Sequence, residues 1–254
     1  MKLKNPKQIQ LIRESGIVLA RTLRRLGEMV EPGLPLLEID AQCRSLLQAS
    51  GARPAFLGYM GFPAALCVSV NEEVIHGIPT RRILREGDIV SLDIGVDLDG
   101  YISDAAATFA VGRVSGDVER LLLATREALE RGIAAAHPGG RVQDISRAIY
   151  DHVTARGYGV VRPYCGHGVG FAVHEEPQVP NYVSRGPNPR LKPGLVLAIE
   201  PMINLGGDDV EVLDDDWTVV TADRSISAHY EHTIAILDDG VEILTRAEES
   251  VEVS

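Results

Sequence analysis

Two stretches of this chain answer each other at a fixed distance. EPGLPLLEIDAQCRSLLQASG (31–51) and HPGGRVQDISRAIYDHVTARG (137–157) both pass from Pro-Gly through an amphipathic pattern to a closing glycine. Pro32 and Pro138 stand 106 residues apart, as do Gly51 and Gly157. Further on, LREGDIVSLDIG and LKPGLVLAIEPM share a glycine turn and an apolar run, which sets Asp93 against Glu200 at a spacing of 107. SDAAATFAV is answered by YEHTIAIL, with Asp104 matched to Glu231. A unit of two helices and a hairpin cannot bury its apolar face alone, so a chain that carries it twice is constrained to fold as two like halves packed together. The expectation is one α/β domain of α+β character over residues 1–254, with the repeat falling at roughly 1–112 and 113–254.

Local signals agree with that plan. Asn5 and Pro6 supply a cap and a first-turn proline, and Ile9, Ile12, Leu19, Leu23 and Leu26 recur at helical spacing until Glu31-Pro32-Gly33 ends the helix. A second helix is expected from Leu36 to Ala49. LCVSV (66–70) and DIVSLDIGV (88–96) read as strands, and YISDAAATFAV (101–111) as the returning arm of a hairpin turned at Asp99-Gly100. Helical periodicity returns over 117–136 and 142–156.

The strands carry acids where apolar residues belong. A carboxylate buried in VSLDIGV or LVLAIE costs several kcal/mol unless a cation or several donors meet it, so Asp93 and Glu200 need partners. Asp104 and Glu231 raise the same question among small and β-branched neighbours. If the halves pack about a pseudo-twofold axis, four carboxylates converge near it, and their mutual repulsion is relieved by divalent cations. His167, in CGHGVGFAVHEEP, adds a nitrogen donor. Four carboxylates with one imidazole suit two adjacent divalent ions such as Mn, Fe, Co or Zn.

Composition limits the partners. A formal net charge of −11 argues against dedicated nucleic-acid binding, which calls for a basic face. Cys43, Cys67 and Cys165, with no CxxC spacing, fit a reducing compartment. The polar start MKLKNPKQIQLIRESG lacks a signal-peptide core, and no stretch is long enough to cross a bilayer. A cytoplasmic protein without membrane contact is expected.

These motifs resemble those of type I methionine aminopeptidases, which have the pita-bread fold: two pseudo-twofold-related halves around a curved antiparallel sheet with outer helices. The resemblance covers nearly the whole chain and rests on NEEVIHGIP with His76, DIGVDLDGYISD with Asp93 and Asp104 eleven positions apart, YCGHGVG, HEEPQVPNY, IEPM and YEHT. It implies a dinuclear metal site in which Asp93 chelates one ion, Asp104 and Glu231 bridge, and His167 with Glu200 completes the other. It implies further that Glu200 is the general base toward a metal-activated water, that His174 donates to the developing oxyanion, and that His76 contacts the substrate amide. On this reading Gly166, Gly168 and Gly170 let backbone come close to metals and substrate.

The matching methionine pocket is Tyr59, Phe62, Cys67 and Trp217, a soft apolar wall for a thioether. Two positions depart from the bacterial pattern: Phe56 stands in place of a frequent cysteine, and Val173 in place of a frequent phenylalanine. The implied activity is removal of the initiator methionine from nascent chains when the second residue is small, by a monomer with at most transient ribosome contact. One alternative is a related pita-bread aminopeptidase with a different side-chain preference, although a prolidase or aminopeptidase P would carry an extra amino-terminal domain for which this sequence leaves no room. The other is a peptide-binding relative that has lost catalysis, in which substituted ligands would be expected.

Overall fold

The computed structural model describes residues 1–246. The first half runs α1 (Pro6–Glu28), α2 (Leu36–Ala49), β1 (Arg53–Pro54), β2 (Cys67–Val70), β3 (Glu73–Ile75), β4 (Ile89–Leu98) and β5 (Tyr101–Ala110). The second runs α3 (Gly116–Ala135), α4 (Val142–Thr154), β6 (Gly159–Val160), β7 (Gly166–Gly168), β8 (Glu175–Val179), β9 (Val196–Ile199), β10 (Met202–Asn204), β11 (Val210–Val212), β12 (Val219–Thr221), β13 (Ser227–His229), β14 (His232–Ile236) and β15 (Val241–Ile243). The order of two helices followed by antiparallel strands therefore occurs twice, as the sequence pattern requires.

α1 starts where its cap places it: the Asn5 side chain accepts from the Gln8 backbone N–H while the Gln8 side chain accepts from the Asn5 N–H. α2 has the bounds read from the sequence. In the first half the helices pack Leu19, Leu26, Ile39 and Leu47 against Val68, Leu92 and Ile94. In the second, Leu121, Leu129, Ile145 and Ile149 meet Leu197, Ile199, Ile234 and Ile236. Each of these buried side chains is worth roughly 1.5–3 kcal/mol of transfer free energy, so each half has an apolar core of its own.

β4 is the spine of the first half. It pairs antiparallel with β5 along its whole length, Leu98 to Tyr101 across the turn, and along its other edge with β2 and β1. Asp99 and Gly100 hold φ of 52° and 84°, the left-handed pair a two-residue hairpin turn demands. In the second half the sheet order is β15-β14-β9-β7-β8. Short ladders β13-β10-β6 and β11-β12-β3 complete the fold, the latter joining the two halves through β3.

A seam between β5 and the β13–β14 segment crosses the molecule. Its middle is one backbone bond, Glu231 N–H to Ala106 C=O at 2.9 Å. On one side the Thr233 hydroxyl accepts from the Asp104 N–H at 2.9 Å and donates to the Asp104 C=O at 2.7 Å. On the other, the Thr108 hydroxyl accepts from the His229 N–H at 2.9 Å and donates to the His229 C=O at 2.7 Å. The two clasps are mirror uses of the same residue type, and they fix the correspondence of the halves: Thr108 with Thr233, Ala106 with Glu231, and Asp104 with His229, all 125 residues apart. The sequence match of Asp104 to Glu231 is thus out by two positions. Similar β-branched and small residues on both arms hide the slip until the partners are seen.

Candidate active site

The acids reach the seam by two routes. Asp93 and Asp104 lie inside β4 and β5 as expected, whereas Glu200 and Glu231 lie just beyond strand ends, after β9 and before β14. Ile199 pairs with His232, so Glu200 and Glu231 flank the last rung of that ladder. Leaving the ladder there frees two carboxylates at the break instead of directing them by pleat alternation. His167 is centred on β7, which pairs with β9 at Ala198. Gly166 and Gly168 are needed on either side of it because neighbouring strands approach closely: an added Cβ would stand 2.4 Å from the Ala198 carbonyl oxygen and 2.6 Å from that of Glu176, respectively. The crowding that excludes side chains at these two positions comes from β8 and β9, a different reason from the approach to metals and substrate expected of them.

All seven polar side chains singled out in the sequence line one pocket of about 260 Å³: Asp93, Asp104, Glu200, Glu231 and the histidines 76, 167 and 174. Phe56, Tyr59, Phe62, Cys67 and Trp217 form its apolar wall, with Met60 exposed at the rim. The volume is below the roughly 300–1,000 Å³ of clefts for drug-sized ligands, which suits one side chain and its adjoining backbone. Phe62 and Trp217 meet edge to face at 5.1 Å. Phe56 is accommodated because Gly95 lies against it; a Cβ there would stand 2.5 Å from the Phe56 ring. Val173 is buried in the same apolar cluster.

The acids are almost wholly shielded from water, and three of their oxygens lack partners. Asp93 Oδ1, Asp104 Oδ1 and Glu231 Oε1 are buried and accept no hydrogen bond. Burial, with the charge of its neighbours, pushes the Asp104 and Glu231 carboxyls well above their ordinary range, and burial first among causes lifts Asp93 to about 7. For Glu200 burial also acts upward, but the surrounding imidazoles of His229, His167 and His76 outweigh it and leave the carboxyl below its ordinary value. The His167 ring nitrogen Nε2 stands 3.9 Å from Asp104 and 3.7 Å from Glu200, while Nδ1 is 2.9 Å from the Gly168 carbonyl oxygen. Two groups of donors lie close enough to share an ion: Asp104, His167 and Glu231, and Glu200, His229 and Glu231. Unpaired oxygens with imidazole nitrogen fit a divalent transition metal.

The other two histidines flank this cluster. His174, at the mouth of β8, has its ring 4.3 Å from that of His167, and its Nδ1 lies 2.9 Å from the Tyr59 hydroxyl. Desolvation, then the nearby His167, lowers it to about 4. His76 follows β3 with φ of 58°, a left-handed conformation uncommon for a residue with a side chain, and packs against Tyr164 and Trp217. Burial lowers its basicity too.

Residues 10–238 match the model of metallopeptidase family M24. A methionine aminopeptidase of Clostridium perfringens is 51% identical over 243 residues, covering 96% of this chain and 98% of its own. The chain belongs to the methionine aminopeptidases of family M24. Methionine aminopeptidase 1 of Bacillus subtilis is 48% identical over 96% of this chain and 98% of that protein. The crystal structure of the methionine aminopeptidase of Thermotoga maritima superposes with a TM-score of 0.94 at 42% identity, covering 97% and 99% of the two chains. A prolidase from Pyrococcus furiosus shares the fold alone, at a TM-score of 0.80, 24% identity and 66% coverage of its longer chain. An M24 methionine aminopeptidase is a divalent-metal hydrolase of the pita-bread fold, and the donor groups above meet that requirement.

Sequence reading missed two features of this M24 site. His229 is buried against Glu200 and Glu231, yet its surroundings in the sequence, SAHYEHT, carry no mark that separates it from a core histidine. Lys4 reaches Glu175, the neighbour of His174, at 2.8 Å with both side chains buried. A separation of 171 positions leaves no trace in local pattern. Among the described residues no helix is long and apolar enough to cross a membrane.

Proposed function

We propose that this metallo-aminopeptidase removes the amino-terminal methionine of newly made chains whose second residue is small, and that its five donors Asp93, Asp104, His167, Glu200 and Glu231 hold two divalent ions. The supporting observation is the meeting of unpaired carboxylates from both halves with an apolar wall of Phe56, Tyr59, Phe62, Cys67 and Trp217 in one small pocket. Bound there, the ions would lower the pKa of water and polarise the scissile carbonyl.

The chain's own groups supply the rest. A methionine side chain fits the wall of aromatics and the Cys67 thiol, which burial and the adjacent acids hold protonated. Glu200 serves as general base: it takes the proton of the attacking water and returns it to the departing amine. The Tyr59 hydroxyl donates to His174 Nδ1, which leaves Nε2–H facing the carbonyl as a neutral donor to the developing oxyanion. His76, fixed by its strained backbone and by Tyr164, receives the amide beyond the scissile bond.

The decisive experiment assays the purified protein on Met-Ala-Ser, Met-Leu-Ser and Leu-Ala-Ser with Mn, Fe, Co or Zn added in turn. Cleavage of the first, much weaker cleavage of the other two, and loss of activity on chelation are expected. An intact Met-Ala-Ser with every metal would refute the reading and favour a peptide-binding relative. Action as a cytoplasmic monomer, with at most transient ribosome contact, belongs to the same proposal and is supported by three free cysteines and the net charge of −11.

A further inference from the structure

We infer that His229 is a sixth donor of the metal centre, giving each of the two donor groups an imidazole of its own. Three observations carry this. First, the His229 side chain is buried and neither ring nitrogen has a hydrogen-bond partner, a costly state for a polar ring with nothing to bind. Second, its Nε2 stands 3.5 Å from Glu200 Oε2 and 4.0 Å from Glu231 Oε2, much as His167 Nε2 stands 3.7 Å from Glu200 and 3.9 Å from Asp104. These separations are long for a charge-assisted hydrogen bond, which closes to about 2.7–2.9 Å. They suit donors that each lie about 2.1 Å from a shared ion and so roughly 3–4 Å from one another. Third, the threonine clasps make His229 the counterpart of Asp104, so the same place on each side of the seam presents a donor to the cluster.

The consequence is a centre richer in nitrogen than four carboxylates and one histidine. Imidazole favours Co, Zn and Fe over Mn, which prefers oxygen. His229 therefore biases which metal the site retains.

This inference rests on the dinuclear reading above, and its test keeps the two apart. Metal-free protein and its His229→Gln variant are titrated calorimetrically with Co(II) and with Mn(II), with His167→Gln as a control ligand loss. In the variant, affinity for one Co(II) equivalent is expected to fall on the order of tenfold or more, and affinity for Mn(II) to fall less. A folded variant, judged by unchanged circular dichroism, that binds both metals within twofold of the native protein overturns the assignment. The native protein supplies a readout that needs no substitution. Loaded with two Co(II), it is expected to show two exchangeable imidazole N–H proton resonances displaced far outside the diamagnetic range, one each from His167 and His229. A single such resonance overturns the assignment of His229 and leaves the dinuclear reading standing. Failure to take up cobalt refutes the dinuclear reading itself.

Discussion

The Tyr59 hydroxyl engages Nδ1 of His174 at 2.9 Å. In the proposed mechanism His174 acts on charge that appears only as the carbonyl is attacked, so His174→Ala should lower kcat by roughly 10²–10³-fold while KM stays within a few fold; steady-state kinetics on Met-Ala-Ser read this directly, and a fall confined to KM would make His174 a binding residue. Glu200→Gln keeps an oxygen donor but not a base. It should retain the metal content of the native protein by elemental analysis and lose most turnover, and near-native rates would contradict the base assignment. The place of His174 in the pocket could be read from its motif because HEEP beside a glycine-rich strand is distinctive. His229 could not, since what marks it is the absence of a hydrogen-bond partner, and that is a fact of three dimensions.

At the level of elements, the helices and the long hairpin were legible because their periodicity extends over ten residues or more: α2 begins and ends where its pattern does, and β4 and β5 turn at Asp99-Gly100. Strands of three residues, such as β3, β10 and β13, have no period to read, and the breaks that free Glu200 and Glu231 fall among them. The arm before α1 has a role that no pattern announces. Lys4 crosses to the loop carrying His174, where Glu175 holds its ammonium with one carboxylate oxygen and accepts the Phe171 N–H with the other. Both side chains are nearly inaccessible, at 1% and 4% exposure. Breaking such a pair strands a buried charge, so Lys4→Met should cost about 3–5 kcal/mol in urea unfolding. A loss under about 1 kcal/mol would show that water enters and solvates Glu175.

For the whole molecule, the metal centre sits where the halves meet and is the point of greatest electrostatic tension. Acids whose folded pKa lies above the unfolded value bind protons more tightly in the native state, so without metal they destabilise the fold increasingly as pH rises. For Asp93 the penalty is absent below about 4 and complete above its folded value of about 7. Chelation should therefore lower Tm at both pH 6 and pH 8, and by more at pH 8, as scanning calorimetry would show; an equal loss at the two values would place the destabilisation elsewhere. The threonine clasps add a different vulnerability. Thr108 and Thr233 belong to neither donor group, yet each grips the backbone of a residue whose side chain does, His229 or Asp104. Exchange of either hydroxyl for a methyl, as in Thr233→Val, would slacken that grip without deleting a single donor. Such an enzyme would keep its shape and pass a sequence inspection of its ligands, and it would still leak its ions during dialysis.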